Sequence, residues 1–285
     1  MYTRVLVCVD GSEAAGTAAR SGLDIARAFG ATVDALHVVQ RGWLRAGDGE
    51  RLRERGQDAL ADVASAAESV EVRTELREGG PAERISEFAR EREADLVVVG
   101  RQGLTGLGER LLGGVAERLL HRCSVPVLVV PPEAGQRGGY ERLLLPTDGS
   151  DNAAAAAPHA GAVADRYGAA VHVLNVLDLQ AAGGLFDAGG LDRAFVERLE
   201  NEGREAVEAL AGDLREDGVA TETGVVRAPG EGAAAGIREY VAEERIDLVA
   251  MGTRGRSNLG RGVLGSVASA VLRTVDVPVL AVPPA

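Results

Sequence analysis

The sequence predicts an α/β protein built twice over, each copy an open parallel sheet with helices on both faces. Three observations carry this. The chain repeats itself in order: RVLVCVDGS at 4–12 returns as RLLLPTDGS at 142–150, ADLVVVGRQG at 94–103 as IDLVAMGTRG at 246–255, and SVPVLVVPP at 124–132 as DVPVLAVPP at 276–284. Short, nearly unbroken apolar runs recur at 4–9, 95–99, 126–130, 142–147 and 247–251, the pattern of parallel strands covered by helices on both sides. Between them lie longer stretches whose apolar residues are spaced by three and four, as on a helix.

Taken in order, the first run of each copy leads into a helical stretch, SEAAGTAARSGLDIARAFG in the first. The second strand falls at 33–39 and again at 170–177, AVHVLNVL. A third is expected near 70–76 and 219–226, and the fourth and fifth are the later apolar runs, so each copy holds five strands. The opening motifs are offset by 138 positions and the later ones by 152, which leaves 14 extra residues in the second copy; GGLFDAGG at 183–190 is the expected place for much of that insertion. The junction PPEAGQRGGY at 131–140 mixes proline, glycine and polar residues as a linker does, placing the domains at 1–134 and 138–285.

Composition narrows the function. Aromatic residues make up only 3% of the 285 residues, so the cores are aliphatic. Acidic residues outnumber basic ones 43 to 31, for a net charge of -12. That balance argues against a non-specific grip on nucleic acid. Every basic residue is arginine, which excludes a lysine-bearing phosphate loop and Schiff-base chemistry. Two cysteines, Cys8 and Cys123, make no disulfide framework. No uncharged apolar run spans a bilayer and no signal-peptide pattern opens the chain, so membrane insertion is not expected and a cytoplasmic location is.

Ligands of open α/β sheets sit beyond the C-terminal strand ends. Asp10 and Asp148 end the first strands there, where a carboxylate can hold a ribose hydroxyl; a helix cap explains the same Asp-Gly-Ser. The fourth strand of the second copy opens GTRGRSNLGRGVLGSVASAVL, with Gly252, Gly255 and Gly265 followed by Ser266 and a helical run. Glycines let backbone amides approach an anion, and a helix N-terminus offers unpaired N–H groups. Arg254, Arg256 and Arg261 add positive charge. A glycine-rich loop with Ser266 as helix cap is the plainer alternative. The first copy keeps Gly100, Gly103 and Gly113, with Arg101 and Arg110, but has Gly114 where the serine belongs. Gly260, Gly262 and Gly265 imitate a dinucleotide fingerprint, yet they begin eight residues too late after the strand and no acid follows at the right distance, so that reading is rejected. The four histidines show no metal spacing and His37 reads as a structural residue. No nucleophile elbow and no acid–base pair indicate an efficient catalyst.

These motifs resemble the universal stress protein family in its tandem form. The family's loop is Gly, two residues, Gly, nine residues, Gly, then Ser or Thr. The second copy has it complete at Gly252, Gly255, Gly265 and Ser266; the first has Gly100, Gly103 and Gly113 without the hydroxyl. The Asp-Gly-Ser openings and Val-Pro-Val closing strands match as well. The resemblance implies a sheet order 3-2-1-4-5 and a bound ATP or ADP, with magnesium on the phosphates. It implies nucleoside contacts from Asp148 and Asp10 and adenine contacts from the backbone of Val176 and Val38. It also implies pairing of the final strands, made within this chain, and leaves a further homodimer open. The leading expectation is a cytoplasmic ATP- or ADP-binding stress or regulatory protein with at most slow hydrolysis, the second domain being the stronger binder. The alternatives are a protein-interaction module without nucleotide and an enzyme acting on an adenylated substrate.

Overall fold

The computed structural model describes residues 1–40, 49–103, 111–135, 138–179, 193–228, 230–255 and 263–284. The predicted insertion at 183–190, and Arg110, Arg256, Arg261, Gly260 and Gly262, lie outside the described residues.

The chain divides into two compact units, residues 1–139 with 276–283, and residues 140–275 with 284–285. The first begins with β1 (Arg4–Val9), whose side chains are buried on both faces after Arg4. Helix α1 (Glu13–Phe29) follows, its first turn closed by Ser12, which accepts from the Ala15 amide at 3.1 Å. It stops at Gly30 in the left-handed conformation, φ 66°. β2 (Thr32–Val39), α2 (Gly49–Ala66), β3 (Val72–Glu78), α3 (Pro81–Glu91), β4 (Leu96–Gly100), α4 (Gly114–Arg122) and β5 (Val127–Val130) complete the alternation. The second unit repeats it with β6 (Arg142–Pro146), a short α5 (Asp151–Ala154), α6 (Ala157–Tyr167), β7 (Ala170–Leu177), α7 (Arg193–Glu216), β8 (Thr221–Arg227), α8 (Ala233–Glu243), β9 (Leu248–Gly252) and α9 (Ser266–Thr274), and β10 (Val279–Val282) ends the chain.

Strands β3-β2-β1-β4-β5 pair side by side and in parallel, the expected order. β10 then adds to β5 in antiparallel fashion, Val279 opposite Val129 and Ala281 opposite Val127. Contacts therefore place the last strand of the second repeat with the first unit. In the second unit β9-β6-β7-β8 pair in parallel. The central strands are mostly apolar, with Val5, Leu6, Val7, Val97, Leu143 and Leu144 fully buried. β3 and β8 instead carry charged and threonine side chains, Val-Arg-Thr-Glu-Leu-Arg-Glu in the first, as suits a strand with one neighbour. A buried carboxylate interrupts the first core: Asp34 on β2 is held by Arg92 at 2.9 Å and Arg4 at 3.9 Å.

Candidate functional site

The Asp-Gly-Ser turn resolves into two jobs for two residues. Ser12 and Ser150 are the helix caps; the Ser150 hydroxyl accepts from the Ala153 amide at 3.2 Å. Asp10 and Asp148 are not. Each spends Oδ1 on the serine amide two residues on, at 2.9 and 3.0 Å, and Asp148 Oδ1 also accepts the Ser150 hydroxyl at 2.6 Å. The other oxygen meets the glycine loop. A Cβ on Gly255 would lie 2.5 Å from Asp148 Oδ2, and one on Gly103 would overlap Asp10 Oδ2. The middle glycine of the motif is thus required by the carboxylate packed upon it.

The first and third glycines have other reasons. A Cβ on Gly252 would strike the Asn152 carbonyl, and one on Gly100 would sit 3.2 Å from that of Ala14, so both let the end of the fourth strand pass under the helix that follows the first strand. The amide of Gly265 donates to the Thr253 carbonyl at 2.8 Å, and that of Gly113 to Arg101 at 2.7 Å. The Gly265 amide thus closes the loop onto itself. Gly265, not Ser266, is the cap position of α9, and no side chain caps the helix. Ser266 is the first helical residue, exposed, and its hydroxyl makes no hydrogen bond among the described residues. α4 starts the same way from Gly113, again without a side-chain cap. Both helices therefore present their first amides unpaired.

All the predicted residues of each repeat line one cavity of that repeat. In the second unit Asp148, Val176, Gly252, Gly255, Gly265 and Ser266 border a space of about 280 Å³, with the first-turn residues Val267 and Ala268 beside them. In the first unit Asp10, Val38, Gly100, Gly103 and Gly113 border one of about 410 Å³, with Gly114, Val115 and Ala116. Half-buried Val38 and Val176 lie one residue before the ends of the second strands and border these cavities. Leu36 with Ile85, and Leu174 with Ile237, form apolar walls that sequence reading passed over as core.

His37 and Asn175 occupy equivalent positions and do one thing. The His37 ring lies with Nδ1 2.9 Å from the Val9 carbonyl, which can only accept, so the proton sits on Nδ1. Asn175 Nδ2 donates to the Thr147 carbonyl at 2.8 Å. Helix glycines press on both, since a Cβ at Gly56 would lie 2.5 Å from the His37 ring and one at Gly203 2.6 Å from Asn175 Oδ1. Burial lowers the His37 pKa, partly offset by the bond to Val9, and raises that of the Cys8 thiol. Both are structural groups at the floor of the first cavity.

The arginines differ from expectation. Arg254 lines the second cavity with its Nε buried and without a hydrogen-bond partner among the described residues. Arg101 is only 1% exposed and is ion-paired to Glu133 at 2.9 Å, so it is not a mobile loop charge. Sequence reading missed Arg55 and Arg118, which border the first cavity. Arg55 donates to the Gly11 carbonyl at 3.2 Å. The signal for Arg118 was available in the repeat itself: GVAER at 114–118 aligns with SVASA at 266–270, so the lost serine travels with a gained arginine one helical turn on.

A duplicated parallel α/β unit, with an uncapped helix N-terminus and a carboxylate at one strand-end cavity, places the chain in the doubly wound class. The universal stress protein family matches residues 1–131 and 139–283, and the chain belongs to that family. A universal stress protein of Methanocaldococcus jannaschii is 41% identical over 142 residues, 46% of this chain and 82% of its own length. One of Mycolicibacterium smegmatis is 32% identical over 241 residues, covering 81% of this chain and 75% of its own. The crystal structure of a universal stress protein from Archaeoglobus fulgidus shares the fold at a TM-score of 0.71 and 20% identity, over 99% of this chain and 98% of that one.

Proposed function

We propose that the chain is a cytoplasmic adenine-nucleotide-binding regulatory protein that takes ATP or ADP in its strand-end cavities. The observation that carries this reading is the second cavity. There Asp148, the half-buried Val176, the unpaired Ser266 hydroxyl, the partnerless Arg254 Nε and the uncapped start of α9 border one space. The helix start and the guanidinium suit phosphate, the apolar wall of Leu174 and Ile237 suits a base, and a carboxylate suits ribose hydroxyls. Among the described residues no cluster of three or more His, Cys, Asp or Glu side chains forms a metal site. Magnesium would arrive on the phosphates as part of the ligand. Binding needs no catalytic base, and a regulatory role asks only that occupancy differ between conditions.

The test is calorimetric titration of ADP and ATP into protein freed of ligand under mild denaturant and refolded. Binding that falls about tenfold or more in Ser266→Ala, with an unchanged melting temperature, is the expected outcome, since a hydrogen bond to a charged group contributes roughly 1.5–3 kcal/mol. Ser266→Ala is cleaner than any change at Gly265, where a Cβ would lie 3.3 Å from the Thr253 carbonyl and disturb loop closure. No heat of binding with either nucleotide would reject the reading in favour of an interaction module.

A further inference from the structure

The first repeat is read from its sequence as degenerate because Gly114 replaces the loop hydroxyl. The structure fills that gap. A Cβ built on Gly114 would find the Arg118 guanidinium at 3.6 Å from Nη1 and 3.7 Å from Nη2. The guanidinium folds back over the first turn of α4, beside the position from which a serine hydroxyl would project. Arg118 is exposed, borders the 410 Å³ cavity, and has no hydrogen-bond or ion-pair partner among the described residues. The acids nearest it along the adjoining groove, Glu83 and Glu87, are matched by Arg122 at 3.4 Å and Arg84 at 2.7 Å. In the second repeat the same two positions hold Ser266 and Ala270, so the exchange is a pair: serine and alanine for glycine and arginine. A serine at 114 would bring its hydroxyl into the space the guanidinium fills.

We propose that Arg118 is the specificity-determining residue of the first cavity, a guanidinium in the place of the loop hydroxyl, and that it selects ligands ending in a doubly charged phosphate. This rests on the adenine-nucleotide reading above for the rest of the ligand but not for the anion. A hydroxyl donates one hydrogen bond whatever the charge of its acceptor. A guanidinium offers two parallel donors and a fixed charge, which match two oxygens of a terminal phosphate. Among the described residues, the charges around the first cavity are Arg118, Arg55, Asp10, and Arg101 with its partner Glu133; around the second they are Arg254 and Asp148. On the described residues the first is more positive by one charge, and Arg118 holds a cation at its helix start. The first repeat becomes a site of different selectivity, not a weakened copy.

The test uses the full chain and hydrogen exchange read by mass spectrometry, which reports separately on the peptides covering α4 and α9. ADP, adenosine and inorganic pyrophosphate are titrated against wild type, Arg118→Ala, Arg118→Lys, and Arg118→Ala with Gly114→Ser. The expected result is that Arg118→Ala raises the ADP and pyrophosphate concentrations protecting α4 by roughly ten- to hundredfold. It leaves adenosine at α4 and every ligand at α9 unchanged. Arg118→Lys falls between, keeping charge without the fork, and the added serine recovers part of the ADP affinity. Protection of α4 by ADP unaltered in Arg118→Ala overturns the proposal and leaves nucleotide binding standing. Pyrophosphate protection of α4 that needs Arg118, without any effect of ADP beyond that of pyrophosphate, supports the anion site and overturns the nucleotide reading instead.

Discussion

His37 and Asn175 show how one requirement is met by two side chains. Each ties the second strand to a carbonyl at or just past the end of the first, Val9 at 2.9 Å and Thr147 at 2.8 Å, and each lies under a helix glycine. The difference is that histidine titrates. Burial holds the His37 pKa below its ordinary value near 6.5, so the folded chain keeps the ring neutral while the unfolded chain protonates it. The unfolded state then binds more protons as pH falls through about 6.5, and stability is lost in that direction. Above that pH the group contributes no slope. His37→Asn, borrowing the solution of the second repeat, should leave the urea midpoint near neutral pH within about 1 kcal/mol and flatten its decline toward about pH 5.5. His159, also lowered by burial, sets a remaining slope common to both proteins. An identical decline in wild type and variant would show that the His37 proton is not coupled to folding.

At the scale of elements, the apolar runs were legible because a strand covered on both faces has no alternative composition. The observed β1 and β7 coincide with the predicted spans, and the third strands begin two residues later than expected, at Val72 and Thr221. That lag is physical: these strands have one neighbour and half-exposed, charged faces, so periodicity marks their ends weakly. The pairing of the two Val-Pro-Val strands was implied by the family resemblance, and β5 and β10 do pair antiparallel. What could not be read is that this pairing assigns β10 to the first unit by contacts while its sequence belongs to the second repeat. Removing residues 279–285 should therefore act on the first unit. The Val127–Val130 amides are expected to exchange faster and the protein to associate as concentration rises, because β5 would become an uncovered apolar edge. Unchanged exchange there would mean that β10 contributes no protection.

For the molecule as a whole, the repeat displayed the fold and gathered the candidate residues, but their individual roles needed coordinates. Spacing alone could not say that Gly255 serves the Asp148 carboxylate, that the Gly265 amide is spent on Thr253, or that Arg101 is buried against Glu133. Nor could it show that Arg118 stands beside the missing hydroxyl, because a side chain one turn along a helix is adjacent in space and not in sequence. The placement of β10 also decides how the molecule must be tested: cutting at the linker would strip the first unit of its last strand, so binding belongs to the intact chain. Each cavity is bordered by residues of one unit only, so each should report its own ligand. Ligand bound only to the folded form stabilises it by RT ln(1 + [L]/Kd), about 2.7 kcal/mol at a hundredfold excess over Kd. For units of this size 1 kcal/mol moves the melting midpoint by roughly 2–4 °C. ADP at that excess should thus raise the midpoint of an occupied unit by about 5–11 °C. Adenosine, lacking the anion that the helix starts and arginines favour, should need a far higher concentration for the same shift. A midpoint that ADP leaves unmoved up to millimolar concentrations would mean that neither cavity is a nucleotide site.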